Sequence, residues 1–186
     1  MPFEVTILGS SSATPTSTRY PSAQLVNLLG RFFLFDCGEG TQIQLRKLSF
    51  KIQKIQFICI SHLHGDHYFG LIGLINSMHL LGRNKELHVY AHEQLKEVIN
   101  IQLRASDTEL NYPLFFHSIS EKKEEILFED DGLAVSNLLL DHRITCSGFL
   151  FKQKKAKRKI KKGVVEKWKI PLNKISSIQD GADCID

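Results

Sequence analysis

The chain has 186 residues, a length that suits one globular domain, and its 42% hydrophobic and 24% charged residues are ordinary for a protein in water. No apolar stretch approaches the roughly 20 residues that a membrane-spanning helix needs, and residues 1–20 lack the basic start and apolar core of a secretory signal. The cysteines form no Cys-x-x-Cys pair, which favours reduced thiols and a cytoplasmic location; they are Cys37, Cys59, Cys146 and Cys184.

Strand patterns and helix patterns alternate along the first 150 residues. The predicted strands are residues 3–8, 23–29, 32–36, 55–60, 87–91, 114–119, 125–129, 133–140 and 149–153, with Gly30-Arg31 as a hairpin turn. The predicted helices are residues 41–48, 69–81 and 93–103. Strands with helices between them predict an α/β sheet domain, and the unbroken apolar run at 55–60 indicates a strand buried on both faces.

The densest group of chemically capable side chains follows that buried strand. His62, His64, Asp66 and His67 lie within six residues, and neutral imidazoles with a carboxylate are the ligands that a zinc-class ion prefers. His62 and His64 point the same way on an extended segment, so one metal can take both. Gly65 allows a turn, so that Asp66 and His67 can face a second metal about 3.5–4 Å away. A polar loop without metal is the alternative.

Two further side chains at predicted strand ends fit such a site. His142 follows the apolar residues 138–140 and is predicted as the third ligand of the first metal. Asp36 ends another strand, and we interpret it as a carboxylate that orients a loop or a histidine N–H. A cap for the helix that begins at Thr41 is an equally good interpretation of Asp36. The other histidines fit structural positions, with His88 expected on the outward face of its strand.

Residues 62–67, His-Leu-His-Gly-Asp-His, resemble the signature of the metallo-β-lactamase superfamily. Three other segments resemble the ribonuclease Z family: the loop from Ile7-Leu8-Gly9-Ser10 to Ser22-Ala23, the Asp-Cys-Gly-Glu-Gly-Thr-Gln run at 36–42, and Asp141-His142-Arg143. The resemblance extends over residues 3–151 and more loosely to the end. It implies the αβ/βα sandwich, two sheets face to face with helices outside.

The resemblance also implies a function. The expected activity is that of a zinc-dependent endoribonuclease that removes the 3′ trailer from precursor tRNA and leaves a 3′ hydroxyl on the tRNA. Two zinc ions would occupy a complete active site, and Asp66 would hold the attacking water and accept its proton. The expected partners are precursor tRNA and a second copy of the full-length enzyme, with no membrane.

The ligand set predicts an incomplete enzyme. The family's two later ligands, an aspartate and a histidine, have no counterpart after His142, where the aspartates are Asp180, Asp183 and Asp186. Residues 1–151 are therefore expected to form only the first half of the sandwich. Residues 152–186 would be a basic arm and the start of the second half. A truncated chain of this kind is expected to bind metal poorly and to hydrolyse little.

The arm has an unusual charge. Residues 152–169 hold ten Lys or Arg and one acid, Glu166, whereas residues 1–151 hold 13 basic and 16 acidic side chains. Such a segment suits phosphate contacts that do not read sequence, and in ribonuclease Z this region is an arm that grips tRNA. The candidate RNA-binding residues are Lys154, Lys155, Lys157, Arg158, Lys159, Lys161 and Lys162. Three alternatives remain open: a solvated charge run, a phosphodiesterase acting on small substrates, and a non-catalytic RNA-binding fragment.

Overall fold

The computed structural model describes residues 3–155 and 157–183, so Cys184 and Asp186 lie outside the described residues. The chain divides into two units, Met1–Lys152 and Gln153–Asp186. Within the described ranges, no helix is both long and apolar enough to cross a membrane.

The first unit contains a six-stranded sheet and a three-stranded sheet. The six strands, in spatial order, are β1 (Phe3–Gly9), β2 (Ala23–Leu28), β3 (Arg31–Phe35), β4 (Ile55–Cys59), β5 (Leu87–Ala91) and β6 (Leu114–Ser118). β1, β2 and β3 pair antiparallel, and β3 to β6 pair parallel. The second sheet has the order β7 (Ile126–Glu129), β8 (Leu133–Leu140) and β9 (Cys146–Gln153).

Helices cover one face of the larger sheet. These helices are α1 (Thr41–Lys47), α2 (Gly65–Tyr68), α3 (Leu71–Leu80) and α4 (Gln94–Ala105). α3 buries residues at the spacing of one helical face, Leu71, Leu74, Ile75 and Met78. These side chains and those of α4 pack on Leu34, Ile58 and Val89 of the sheet, which gives the helix-side core.

The smaller sheet covers the opposite face through aromatic side chains. Phe33 stacks on Phe57 with ring centroids 4.6 Å apart, and Phe128 and Phe151 of the smaller sheet lie 5.8 and 5.0 Å from Phe33. β3 and β4 therefore have buried residues on both faces, as the apolar run at 55–60 predicts. Helices on one face and a second sheet on the other place this unit in the expected αβ/βα sandwich class.

Three local predictions are wrong. The turn between β2 and β3 is Leu29-Gly30, not Gly30-Arg31, because both residues have the positive φ, 57° and 80°, that a tight turn between twisted strands requires. The helix predicted at 69–81 begins at Leu71 as α3, because Phe69 and Gly70 form a turn after the separate short helix α2. β9 begins at Cys146 and not at 149, so that Cys146 and Ser147 lie buried within the strand.

The second unit consists of short helices. They are α5 (Val164–Lys167) and α6 (Ile175–Asp180), with a 3₁₀ turn at Leu172–Lys174 before α6. The Lys157 ammonium donates to the hydroxyl of Ser176 at 2.8 Å and lies 3.7 Å from the carboxylate of Asp180. These contacts connect the basic segment to α6 within the unit.

Candidate metal centre

The ends of three strands place the candidate ligands. Asp36 directly follows β3, and Ser61 and His62 follow β4, its parallel neighbour. The carboxyl ends of parallel strands meet at one edge of a sheet, so these side chains lie close together. His142 follows β8 of the second sheet, and the backbone N–H of Ser147 in β9 donates to the carbonyl of Ser61 at 2.9 Å. That hydrogen bond joins the two sheets at the site.

Three imidazoles converge at this edge. One nitrogen from each of His62, His64 and His142 lies within 4.8 Å of the others. Nε2 of His62 is 3.0 Å from Nδ1 of His64, and the ring of His142 has its centroid 4.9 Å from that of His62. His62 is buried, His64 is half-buried and His142 is exposed, so the cluster opens toward solvent.

Asp36 is held beneath this cluster. Its side chain is buried and its φ is 51°, a left-handed conformation that aspartate tolerates. One carboxylate oxygen accepts from the backbone N–H of Ser61 at 2.9 Å. The other oxygen accepts from the hydroxyl of Ser22 at 3.1 Å and lies 2.7 Å from Nδ1 of His67. The carboxylate therefore connects β3, the loop after β4 and one candidate ligand.

The surroundings of the buried His62 and the half-buried His67 have opposite effects on the pKa of the two rings. Burial, with a smaller contribution from His67, lowers the pKa of His62 to about 4, so this ring is neutral near pH 7 and keeps a lone pair for a metal. Burial also opposes protonation of His67, but the hydrogen bond and the charge of Asp36, with the charge of Asp66, raise the pKa of His67 overall.

Asp66 lies on the other side of His67. Its Oδ2 accepts from the backbone N–H of Ala13 at 2.9 Å and is 3.4 Å from Nε2 of His67. Ala13 belongs to the Ser- and Thr-rich loop after β1 and has a φ of 55°. The loop thus holds the carboxylate of Asp66, which the sequence predicts as the proton acceptor. The residue pattern did not indicate this contact between Ala13 and Asp66.

A cavity of about 540 Å³ opens above these groups. Its walls include all five predicted metal ligands, His62, His64, Asp66, His67 and His142. Arg143 and Glu39 also line it, and the residue pattern predicted a role for neither. Their positions beside His142 and in the Asp-Cys-Gly-Glu run are the only sequence signals that could have indicated them.

The donor set fits a metal of the zinc class. Among the described residues, this is the one group of three or more His, Cys, Asp or Glu donors close enough to share an ion. Imidazole nitrogens bind zinc at about 2.0–2.1 Å, a distance that small side-chain rotations reach from a cluster of this size. The candidate RNA-binding residues lie in the second unit, where all are exposed except the half-buried Lys154.

Two face-to-face sheets with helices on one outer face and a histidine cluster at the sheet edge define a protein of the metallo-β-lactamase fold. A family model described as "Anti-Pycsar protein Apyc1" matches residues 3–154. The ribonuclease Z of Bacteroides thetaiotaomicron is 41% identical over 98% of this chain and 58% of its own length. That of Cytophaga hutchinsonii is 42% identical over 100% of this chain and 59% of its own. The chain belongs to the family that this model describes, and the curated relatives named here are ribonuclease Z proteins.

Solved structures agree with this assignment. The short form of human tRNase Z has a TM-score of 0.75 and 36% identity over 81% of this chain and 64% of that one. The metallo-β-lactamase fold protein YhfI of Bacillus subtilis has a TM-score of 0.61 at 19% identity, which shows the shared fold. The chain spans about three fifths of the length of the curated relatives that it matches.

Proposed function

We propose that the protein is a zinc-dependent endoribonuclease that removes the 3′ trailer from precursor tRNA and leaves a 3′ hydroxyl on the tRNA. The observation that carries the proposal is the cluster of His62, His64 and His142 at the mouth of the cavity. The names of the curated relatives indicate a ribonuclease, and the name of human tRNase Z indicates a tRNA substrate. The family resemblance of the sequence supplies the removal of the 3′ trailer. The cytoplasmic location, predicted from the cysteine pattern, and the homodimer, predicted from the resemblance, remain predictions.

In this proposal, His62, His64 and His142 hold one zinc ion, and Asp66 and His67 contribute to a second. Ions held there would supply Lewis-acid chemistry, withdrawing charge from a phosphodiester and lowering the pKa of water. His62 is suited to its role because burial keeps it neutral. His67 is oriented by the Asp36 carboxylate at 2.7 Å, an arrangement that typically supports a ligating imidazole.

The chain's own polar groups account for the remaining chemistry. Asp66 lies in the cavity wall with one oxygen fixed by the N–H of Ala13, so its carboxylate is positioned to hold a water molecule and accept its proton. Arg143 lines the same cavity, and a guanidinium offers paired N–H donors for phosphate oxygens. Ala13 and Pro15 of the loop after β1 also line the cavity.

The basic arm is proposed to hold the tRNA. Ten cations within residues 152–169 supply charge for phosphate contacts. Lys155, Lys159 and Lys161 are exposed, which suits direct contact with a phosphate backbone. Lys157 is less suited than the sequence predicted, because its ammonium already contacts Ser176 and Asp180.

A phosphodiesterase acting on small substrates is the second candidate. A cavity of about 540 Å³ has the size of an ordinary small-molecule site. The basic arm favours the ribonuclease, because a small diester has no phosphate chain that could reach it. A non-catalytic RNA-binding fragment is the third candidate, and zinc stoichiometry separates it from the other two.

The deciding experiment compares two substrates, a precursor tRNA with a 3′ trailer and a nitrophenyl phosphodiester, in the natural full-length protein. Changing Lys155, Lys159, Lys161 and Lys162 to Gln should weaken tRNA cleavage. The slope of log affinity against log salt concentration should also become less steep, by about 0.7–0.9 for each phosphate group that the variant no longer neutralises. Hydrolysis of the small diester should not change. His64→Ala should abolish both activities.

The matched control removes the same charge from exposed lysines of the first unit, Lys51, Lys85, Lys96 and Lys122. This variant should cleave precursor tRNA at nearly the parent rate. Equal losses on both substrates in the arm variant would show that the arm is structural, and no loss on either would identify it as a solvated charge run. Hydrolysis of the small diester without any cleavage of precursor tRNA by the parent protein would favour the second candidate.

A further inference from the structure

Ser61 lies at the junction of several hydrogen bonds beneath the candidate metal centre. Its backbone N–H donates to Asp36 at 2.9 Å, and its carbonyl accepts from Ser147 at 2.9 Å. Its hydroxyl oxygen lies 2.9 Å from Nδ1 of His62 and 3.3 Å from Nδ1 of His67. The backbone of Ser61 is therefore fixed from both sheets, and its hydroxyl lies between two candidate ligands.

The tautomer of His67 follows from its partner. Nδ1 of His67 lies 2.7 Å from a carboxylate oxygen of Asp36. An ionised carboxylate can only accept a hydrogen bond, so Nδ1 of His67 must carry the hydrogen. When the ring is neutral, its lone pair is then on Nε2, the nitrogen that faces Asp66.

Nδ1 of His62 also faces inward, as Nδ1 of His67 does, but its partner is Ser61 and not Asp36. Its Nε2 faces Nδ1 of His64 at 3.0 Å, on the cluster side, and its Nδ1 faces inward to Ser61. A hydroxyl can donate or accept, so the contact alone leaves two tautomers. The Sγ of Cys146, at 3.7 Å from the same Nδ1, is a long and weak alternative partner.

We propose that Ser61 is a positioning residue whose hydroxyl oxygen accepts from Nδ1–H of His62 and so keeps the Nε2 lone pair of His62 directed at the cluster before any metal arrives. The inference rests on the proposed role of His62, His64 and His142 as metal ligands. The inward-facing Nδ1 atoms of His62 and His67 would then both be protonated, one held by Ser61 and the other by Asp36. The protein thereby prepares an Nε2 lone pair on each ring, that of His62 facing His64 and that of His67 facing Asp66, and metal ligands are commonly oriented by such neighbours.

The tautomer can be measured without metal or activity. Long-range ¹H–¹⁵N NMR spectra of metal-free chain 1–186, at about pH 8 where ordinary imidazoles are neutral, distinguish hydrogen on Nδ1 from hydrogen on Nε2. His62 should be protonated on Nδ1 in the parent and in Ser61→Thr, which keeps the hydroxyl. Ser61→Ala should give a mixture of tautomers and about 10–100-fold weaker zinc binding in a chelator competition.

Ser147→Ala is the matched control. Ser147 is also buried beside the site, but its hydroxyl has no hydrogen-bond partner among the described residues, so its removal should leave the His62 tautomer and zinc affinity unchanged. Nε2 protonation of His62 in the parent, or parent-like tautomers in Ser61→Ala, would overturn the proposal. So would equal effects of the two alanine variants. Failure of every variant to bind zinc would refute the metal site instead, while the NMR result would still decide the role of Ser61.

Discussion

Replacing Asp36 tests whether one buried carboxylate organises the metal centre. Its side chain accepts from the backbone N–H of Ser61, the hydroxyl of Ser22 and Nδ1 of His67, at 2.9, 3.1 and 2.7 Å. Asp36→Asn keeps the size and tolerates the φ of 51°, but one oxygen becomes an amino group. If the amide oxygen of the new Asn accepts from Ser61, its amino group faces His67. Nδ1 of His67 must then accept a hydrogen bond instead of donating one.

The expected losses of stability and of zinc affinity follow from these three contacts. A hydrogen bond to a charged group contributes about 1.5–3 kcal/mol and a neutral one about 0.5–1.5, so Asp36→Asn should lower the free energy of unfolding by about 1–2 kcal/mol. Asp36→Ala loses all three bonds to the charged group and adds left-handed backbone strain of about 1 kcal/mol, for a total of about 5 kcal/mol or more. Zinc affinity should fall about 10–100-fold in Asp36→Asn, because His67 is then protonated on the wrong nitrogen.

Urea denaturation of metal-free protein measures the first effect, and chelator competition measures the second. Asp107 provides the control, because it is exposed and has a similar φ of 46°. Asp107→Asn should be neutral, and Asp107→Ala should show the backbone strain alone. Losses of less than about 0.5 kcal/mol in both Asp36 variants would refute the reasoning, since surface substitutions already vary by that amount. A parent-like zinc affinity in Asp36→Asn would also refute it.

Three further predictions concern the core, the histidine pair and the metal. Phe33→Ala should lower the free energy of unfolding by about 3–5 kcal/mol in denaturant titrations, because Phe33 is 1% exposed and contacts aromatic rings of both sheets. Burial and the nearby His88 lower the pKa of His117, so the parent should lose stability as pH falls below about 6.5, and His117→Asn should reduce that loss. Glu86, Tyr90 and His88 are the neighbouring titratable groups, and an unchanged pH dependence in His117→Asn would contradict the role of His117. Zinc titrated into purified chain 1–186 should bind weakly and at fewer than two equivalents, because a two-metal site needs bridging ligands beyond the three-imidazole cluster. Cleavage of precursor tRNA by this chain at a normal rate would contradict the expectation.

The residue pattern alone indicated most of the architecture. Continuous apolar residues at 55–60 are compatible with a strand buried on both faces, and β4 occupies that position.

The position of His88 shows where the pattern failed. Alternation placed it on the outward face of β5, but that face is the inner surface of the sandwich, where His88 stacks between Phe57 and Phe115 and its Nδ1 lies 2.8 Å from Nε2 of His117. Period-two alternation shows that two faces differ but not which one another sheet covers.

The sequence by itself determined the metal-capable residues, because the spacing within residues 62–67 and the positions at strand ends are local properties of the chain. It also determined the alternation of strands and helices and the basic composition of the arm. Only the tertiary structure decided how these groups meet. The convergence of His142 with His62, the contact of Asp66 with Ala13 and the place of Ser61 between two imidazoles join residues from different strands and loops. Contacts between segments distant in the chain depend on how two sheets pack, and no short sequence window contains that information.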